Sequence, residues 1–94
     1  MSISFEWDDD KYLLNIRRHG VDFERVALMF EGPMIEELDD REDYGEDRIV
    51  ALGLAQGIVY RVTYTMRGKA YRLISAQKAN KRDQNHYYRE TYSR

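Results

Sequence analysis

The sequence predicts an α+β fold: an N-terminal strand and helical hairpin, then a mainly antiparallel sheet built on a three-strand meander, then a C-terminal helix. Three observations carry this. Apolar and polar residues alternate at period two over residues 58–66, the pattern of a half-buried strand. Gly57 and Gly68 flank that stretch where two tight turns would fall. Asp8, Asp22 and Asn80 each stand just before a helical pattern, where a short polar side chain can cap the first turn. Helices gathered before and after antiparallel strands give packed layers rather than alternating β-α-β crossovers.

Taken in order, residues 3–7 alternate, with Ile3, Phe5 and Trp7 on one side and Ser4 and Glu6 on the other. Asp8 then caps a helix running to about His19. Asp9 and Asp10 meet the positive end of its dipole, and Arg17, Arg18 and His19 meet the negative end. Tyr12, Leu13 and Ile16 form its apolar side, and Gly20 suits the left-handed residue that ends it. Asp22 caps a second helix over 23–30, where Phe23, Val26, Ala27 and Phe30 make a core-facing stripe. Gly32-Pro33 stops it. A short strand is expected over 34–38. Residues 39–47 hold seven charged side chains, six of them acidic, and read as a solvated loop. The meander follows over 48–54, 58–66 and 70–76. Asn80, with Asp83 three residues on, forms a variant capping box for the last helix.

Ninety-four residues make one domain, residues 1–94. The chain has no cysteine, so neither a disulfide framework nor a thiol-ligated metal is open to it. Its two histidines lie far apart, and it shows no zinc motif, Gly-rich phosphate loop or nucleophile elbow. No metal site and no cofactor is expected. The N-terminus turns acidic at once, unlike a signal peptide, and no apolar run is long enough to span a bilayer. A soluble, cytoplasmic protein without a membrane partner is the expectation.

Charge is sorted along the chain. Residues 1–47 hold fifteen acidic and five basic side chains, and residues 48–94 hold two acidic and ten basic ones. The basic half can hold a phosphate backbone, an acidic partner, or the acidic half of the same chain. Asp8, Lys11, Asn15 and His19 (or Arg18) share one helix face. They are either the wet side of an amphipathic helix or a phosphate-facing row, in which an imidazole can exchange protons near neutral pH. Arg48, Arg61, Arg67 and Arg72 lie on or beside the meander. They are either charges protecting sheet edges or a guanidinium cluster shaped for phosphate. Lys78, Lys81, Arg82 and Arg89 mix with Tyr87, Tyr88 and Tyr92 around the last helix, a pattern suited to stacking bases and holding phosphates, or to packing one tyrosine face on the sheet. An enzyme with these residues and no metal would fit RNA, whose 2′-OH is an internal nucleophile.

Phe5-Glu6-Trp7-Asp8, Lys11, Asn15, His19-Gly20-Val21 and Phe23 resemble the opening signature of the BrnT toxins. Arg48, Gly53, Arg67-Gly68, Arg72, Ile74-Ser75-Ala76, Ala79 and Lys81-Arg82 follow in the family's order, so that the resemblance spans about residues 5–88. It implies a RelE-like fold and a ribonuclease toxin of a type II toxin–antitoxin pair that arrests translation. The implied partners are an RNA substrate and a BrnA-like ribbon-helix-helix antitoxin, whose complex with the toxin binds promoter DNA. Carried over by residue, Lys11, His19, Arg67 and Arg72 are the expected catalytic residues. Arg67 and Arg72 would stabilise phosphorane charge, Lys11 would hold phosphate or act as acid, and His19 is the base candidate. Asn15, Arg48, Lys81 and Arg82 are the expected RNA contacts, and Trp7 and Asp8 are read as structural. The family's Ser-Ala-Arg is Ser75-Ala76-Gln77 here, and Asp83 replaces a usual Glu. The alternatives are a non-catalytic nucleic-acid- or protein-binding module of the same fold, and a subunit that self-associates acidic face to basic face.

Overall fold

Three capping side chains start the helices. The computed structural model describes residues 3–92. Asp8 accepts from the backbone N–H groups of Asp10 at 2.8 Å and Lys11 at 3.2 Å, starting α1, Asp9–His19. Gly20 ends α1 at φ 66°, the left-handed conformation that costs glycine least, and its N–H reaches the Ile16 carbonyl. Asp22 accepts from Glu24 N–H at 2.8 Å and starts α2, Phe23–Val26. The helix expected over 23–30 does not stay α-helical: after one turn it tightens into a 3₁₀ segment, Ala27–Glu31. At three residues per turn this winding keeps Val26 and Met29 aligned, and both are wholly buried. Asn80 accepts from Asp83 N–H at 2.8 Å and starts α3, Lys81–Thr91. The reciprocal half of the capping box is replaced, because the Asp83 carboxylate accepts from Arg61.

The strands are β1 (Ser4–Trp7), β2 (Met34–Asp39), β3 (Arg48–Ala55), β4 (Ile58–Arg67) and β5 (Ala70–Lys78), in one sheet of order β1-β5-β4-β3-β2. The meander β3-β4-β5 is as expected, and β2 extends it antiparallel. β1 instead joins the far edge parallel to β5, with Glu6 opposite Arg72. Tyr64 pairs with Leu73 but Thr63 with Ser75, which leaves Ile74 as an extra residue in a bulge.

One face of the sheet is closed. Phe23, Val26 and Met29 are fully buried on it, against Ala51, Val62 and Leu73. Phe5, Phe30, Tyr64 and Tyr71 interlock beside them, with Phe30 and Tyr71 centroids 4.8 Å apart. Gly53 makes room there: a Cβ on it would lie 2.9 Å from Met29 Cβ. The other face is half-covered. Tyr87 of α3 is fully buried over Leu52, Val59 and Ala79, and its hydroxyl donates to the Pro33 carbonyl at 2.9 Å. Of the three helix tyrosines this one packs, while Tyr88 and Tyr92 stay exposed. α3 packs against β2, β3 and β4, which leaves the β5 and β1 side of this face open.

α1 corrects one expectation. Leu13 and Ile16 are 57% and 39% exposed, and the buried residue of the helix is Asn15, at 4%. β1 stops pairing at Leu73, so the outer edge of β5 beyond it lacks a strand neighbour. Asn15 fills that vacancy. Its amide donates to the Ala76 carbonyl at 2.8 Å and accepts from the Ala76 N–H at 3.0 Å, as a paired strand would, and also donates to the Val21 carbonyl. Burying an amide is affordable only with such full satisfaction.

Candidate functional site

On the open face one row of side chains crosses the sheet. Glu6 of β1 is opposite Arg72 of β5, and Arg72 is opposite Thr65 of β4. Arg48 precedes Ile49, which pairs with Tyr64, so Arg48 continues the row on β3, opposite Asp39 of β2. By alternation the row lies opposite Phe5, Ile49, Tyr64, Tyr71 and Leu73, which belong to the closed core. Arg67 stands at the end of β4.

Acidic residues from the first half of the chain reach into this patch. Glu6 accepts from Arg72 at 2.9 Å. Glu46 lies 3.5 Å from both Arg48 and Arg67. The Tyr44 ring sits 4.1 Å from the Arg48 guanidinium carbon, in cation–π contact. Thr65 donates its hydroxyl to the Asp47 carbonyl at 2.6 Å, pinning the end of the acidic loop beside the row. The loop has its own anchor as well. Asp39 takes two hydrogen bonds from the Arg41 guanidinium, at 2.8 and 3.0 Å, and these hold its carboxyl down at about 2. So part of the charge split is answered within the chain, with the acidic half lying against the arginines of the basic half.

A cleft of about 220 Å³ opens between α1 and the bulged edge of β5. Lys11, Arg18 and His19 line it from the helix, and Ile74 and Ser75 from the strand. Lys11 and His19 thus come together, while Arg48, Arg67 and Arg72 gather on the sheet face, with Arg72 three residues before Ser75 on β5. Asn15 also borders the cleft, and its amide braces the fold through hydrogen bonds to Val21 and Ala76. Arg18 is the alternative to His19 in the polar row that the sequence offers, and Ser75 meets the helix only through the fold.

Lys81 and Arg82 stand apart from both groups. With Arg61, Gln77, His86 and Arg89 they line a cavity of about 970 Å³ between α3 and the sheet. His86 went unread, though Arg82, His86 and Arg89 recur at i, i+4 and i+7, a spacing that sets them on one helix face. Among the described residues no group of three metal-ligating side chains forms. No helix among them is long and apolar enough to cross a membrane.

What the arrangement offers chemically is fixed positive charge on a polar surface, with an ammonium and an imidazole in a cleft that shares strand β5 with it. Residues 7–83 match the family model described as the ribonuclease toxin, BrnT, of type II toxin–antitoxin systems. No curated protein sequence matches the chain. Among solved structures, the 1.1 Å crystal structure of the Brucella abortus ribonuclease toxin BrnT is similar at TM-score 0.66 and 26% identity, over 85% of this chain and 100% of that one.

Proposed function

Because this chain belongs to the BrnT family of ribonuclease toxins of type II toxin–antitoxin systems, we propose that it is a metal-independent endoribonuclease whose cleavage arrests translation. The observation that carries the reading is that the arginine patch of Arg48, Arg67 and Arg72 and the Lys11–His19 cleft share strand β5, through Arg72 and Ser75. The 2′-oxygen attacks the adjacent phosphorus as its proton passes to the His19 imidazole. The bond from phosphorus to the 5′-oxygen breaks, and that oxygen takes a proton from the Lys11 ammonium. The products are a 2′,3′-cyclic phosphate and a free 5′-hydroxyl. Arg67 and Arg72 offset the charge that builds on the phosphorane, the step where fixed donors contribute most. Arg48 holds substrate phosphate.

The partner in this reading is a BrnA-like antitoxin with a ribbon-helix-helix part, which covers the basic face and carries the complex to promoter DNA. The setting is the cytoplasm. A second reading, a binding module that holds RNA without cutting it, draws on Gln77, which stands where the family commonly has arginine.

The test is growth arrest on induced expression, wild type beside Lys11→Ala and Arg72→Ala, with folding checked by circular dichroism. Arrest by wild type that both folded variants lose is the expected result. Removing one such donor typically costs about 100- to 1,000-fold in rate. Soluble wild type that neither arrests growth nor cuts RNA sinks the cleavage reading and leaves the binding one.

A further inference from the structure

We infer that the cleft between α3 and the sheet is an accessory subsite for the phosphates of single-stranded RNA, lying away from the cut; the inference rests on the RNA reading above. Its lining differs in kind from the arginine patch. Glu46 and Glu6 already occupy Arg48, Arg67 and Arg72. In the α3 cleft only Arg61 has a carboxylate partner, Asp83 at 3.3 Å, and among the described residues Lys81, Arg82 and Arg89 have none. Glu37 is the one other carboxylate in the lining, so cations outnumber anions four to two.

Geometry supplies the second argument. Arg82, His86 and Arg89 form a stripe along α3, with Arg89 Nη2 and His86 Nδ1 3.5 Å apart. Arg61 and Gln77 are register partners and form the floor. Arg61 lies four residues along β4 from Thr65, the partner of Arg72, and has the same phase and so the same sheet face. At about 3.3 Å per residue the two rows are about 13 Å apart. A single strand, more extended than the duplex rise of roughly 3.4 Å per nucleotide, covers that distance in no more than about four nucleotides. An RNA with a phosphate on Arg72 therefore meets the α3 cations a few nucleotides away. The site is wide, open and rimmed by amides and cations, which suits a flexible polyanion better than a small apolar ligand.

The experiment measures binding of uncleavable 2′-O-methyl RNA, a 3-mer and a 10-mer of the same composition, by fluorescence anisotropy across a salt series. Wild type is expected to bind the 10-mer at least tenfold more tightly than the 3-mer. The paired change Arg82→Ala with Arg89→Ala, at two exposed residues without ion pairs, should remove most of that length advantage. It should also lower the salt slope for the 10-mer by about 0.7 per lost phosphate contact. Arg61→Ala, made separately, should act in the same direction. Arg25→Ala, the loss of one charge at an exposed residue of α2 and so the match for Arg61→Ala, should keep the length advantage. If the paired variant keeps both the advantage and the slope, the subsite is wrong and the RNA reading stands. If wild type binds neither oligonucleotide, both fall.

Discussion

The two faces of the sheet follow opposite rules. On the closed face the side chains are large, apolar and interlocked, and Phe23, Val26 and Met29 have no exposed surface. On the open face the same strands present Glu6, Arg48, Arg72 and Arg61, partly wet and held by ion pairs of 2.9 to 3.5 Å. Partly exposed pairs of this kind contribute little to folding, on the order of 0–1 kcal/mol each. The difference teaches that stability and proposed chemistry are carried by opposite sides of one five-stranded layer. Either can then be damaged while the other persists.

The largest expected effect breaks the closed face. Phe23→Ala empties a fully buried site beneath Trp7 and Tyr12 and should cost about 3–5 kcal/mol in urea unfolding. A loss under 1 kcal/mol would mean that this face is not the seat of stability. A smaller effect is expected where the two faces meet at the edge. Asn15→Ala strips the partners from the Ala76 N–H and carbonyl, and should cost about 1–3 kcal/mol. Amide hydrogen exchange should rise first at Ala76; unchanged protection there would refute the bracing role. The smallest effect sharpens the open face. Glu46→Gln releases Arg48 and Arg67 from a shared carboxylate. RNA affinity should rise by about two- to fivefold at low salt and fade as salt screens the exposed charges. An unchanged affinity at low salt would show that Glu46 does not compete with phosphate.

Much of this contrast was legible in the residues themselves. Asp8, Asp22 and Asn80 all cap as expected, because capping depends on neighbours one to three residues away. The meander followed from period-two alternation and two glycine turns for the same local reason. What escaped was non-local. Asn15 reads as part of a polar stripe, and only the strand edge left open beyond β1 explains why an amide is buried there. The parallel seat of β1 on β5 joins residues 66 apart in sequence, which no periodicity encodes. The Glu46–Arg67 and Glu6–Arg72 pairs are likewise matters of tertiary contact, so the residues in order disclose the charge imbalance but not which arginines are already engaged. Family likeness brought Lys11 and His19 into one list, and the fold brings them to one cleft. It sets Lys81 and Arg82 in a different one, with His86 as an unread neighbour.

The seat of β1 has a consequence for how the molecule comes into being on the ribosome. β1 and α1 leave the exit tunnel well before their sheet partner, Ala70–Lys78. Helices and the β3-β4 hairpin close over short loops, whereas this contact must wait for most of the chain and then bridge a long one. The arginine of β5 and the lysine of α1 become parts of one folded unit only at that step. A nascent chain whose β5 has not yet docked therefore carries parts of the proposed cutting surface without the surface, and the proposed activity has to wait for that strand.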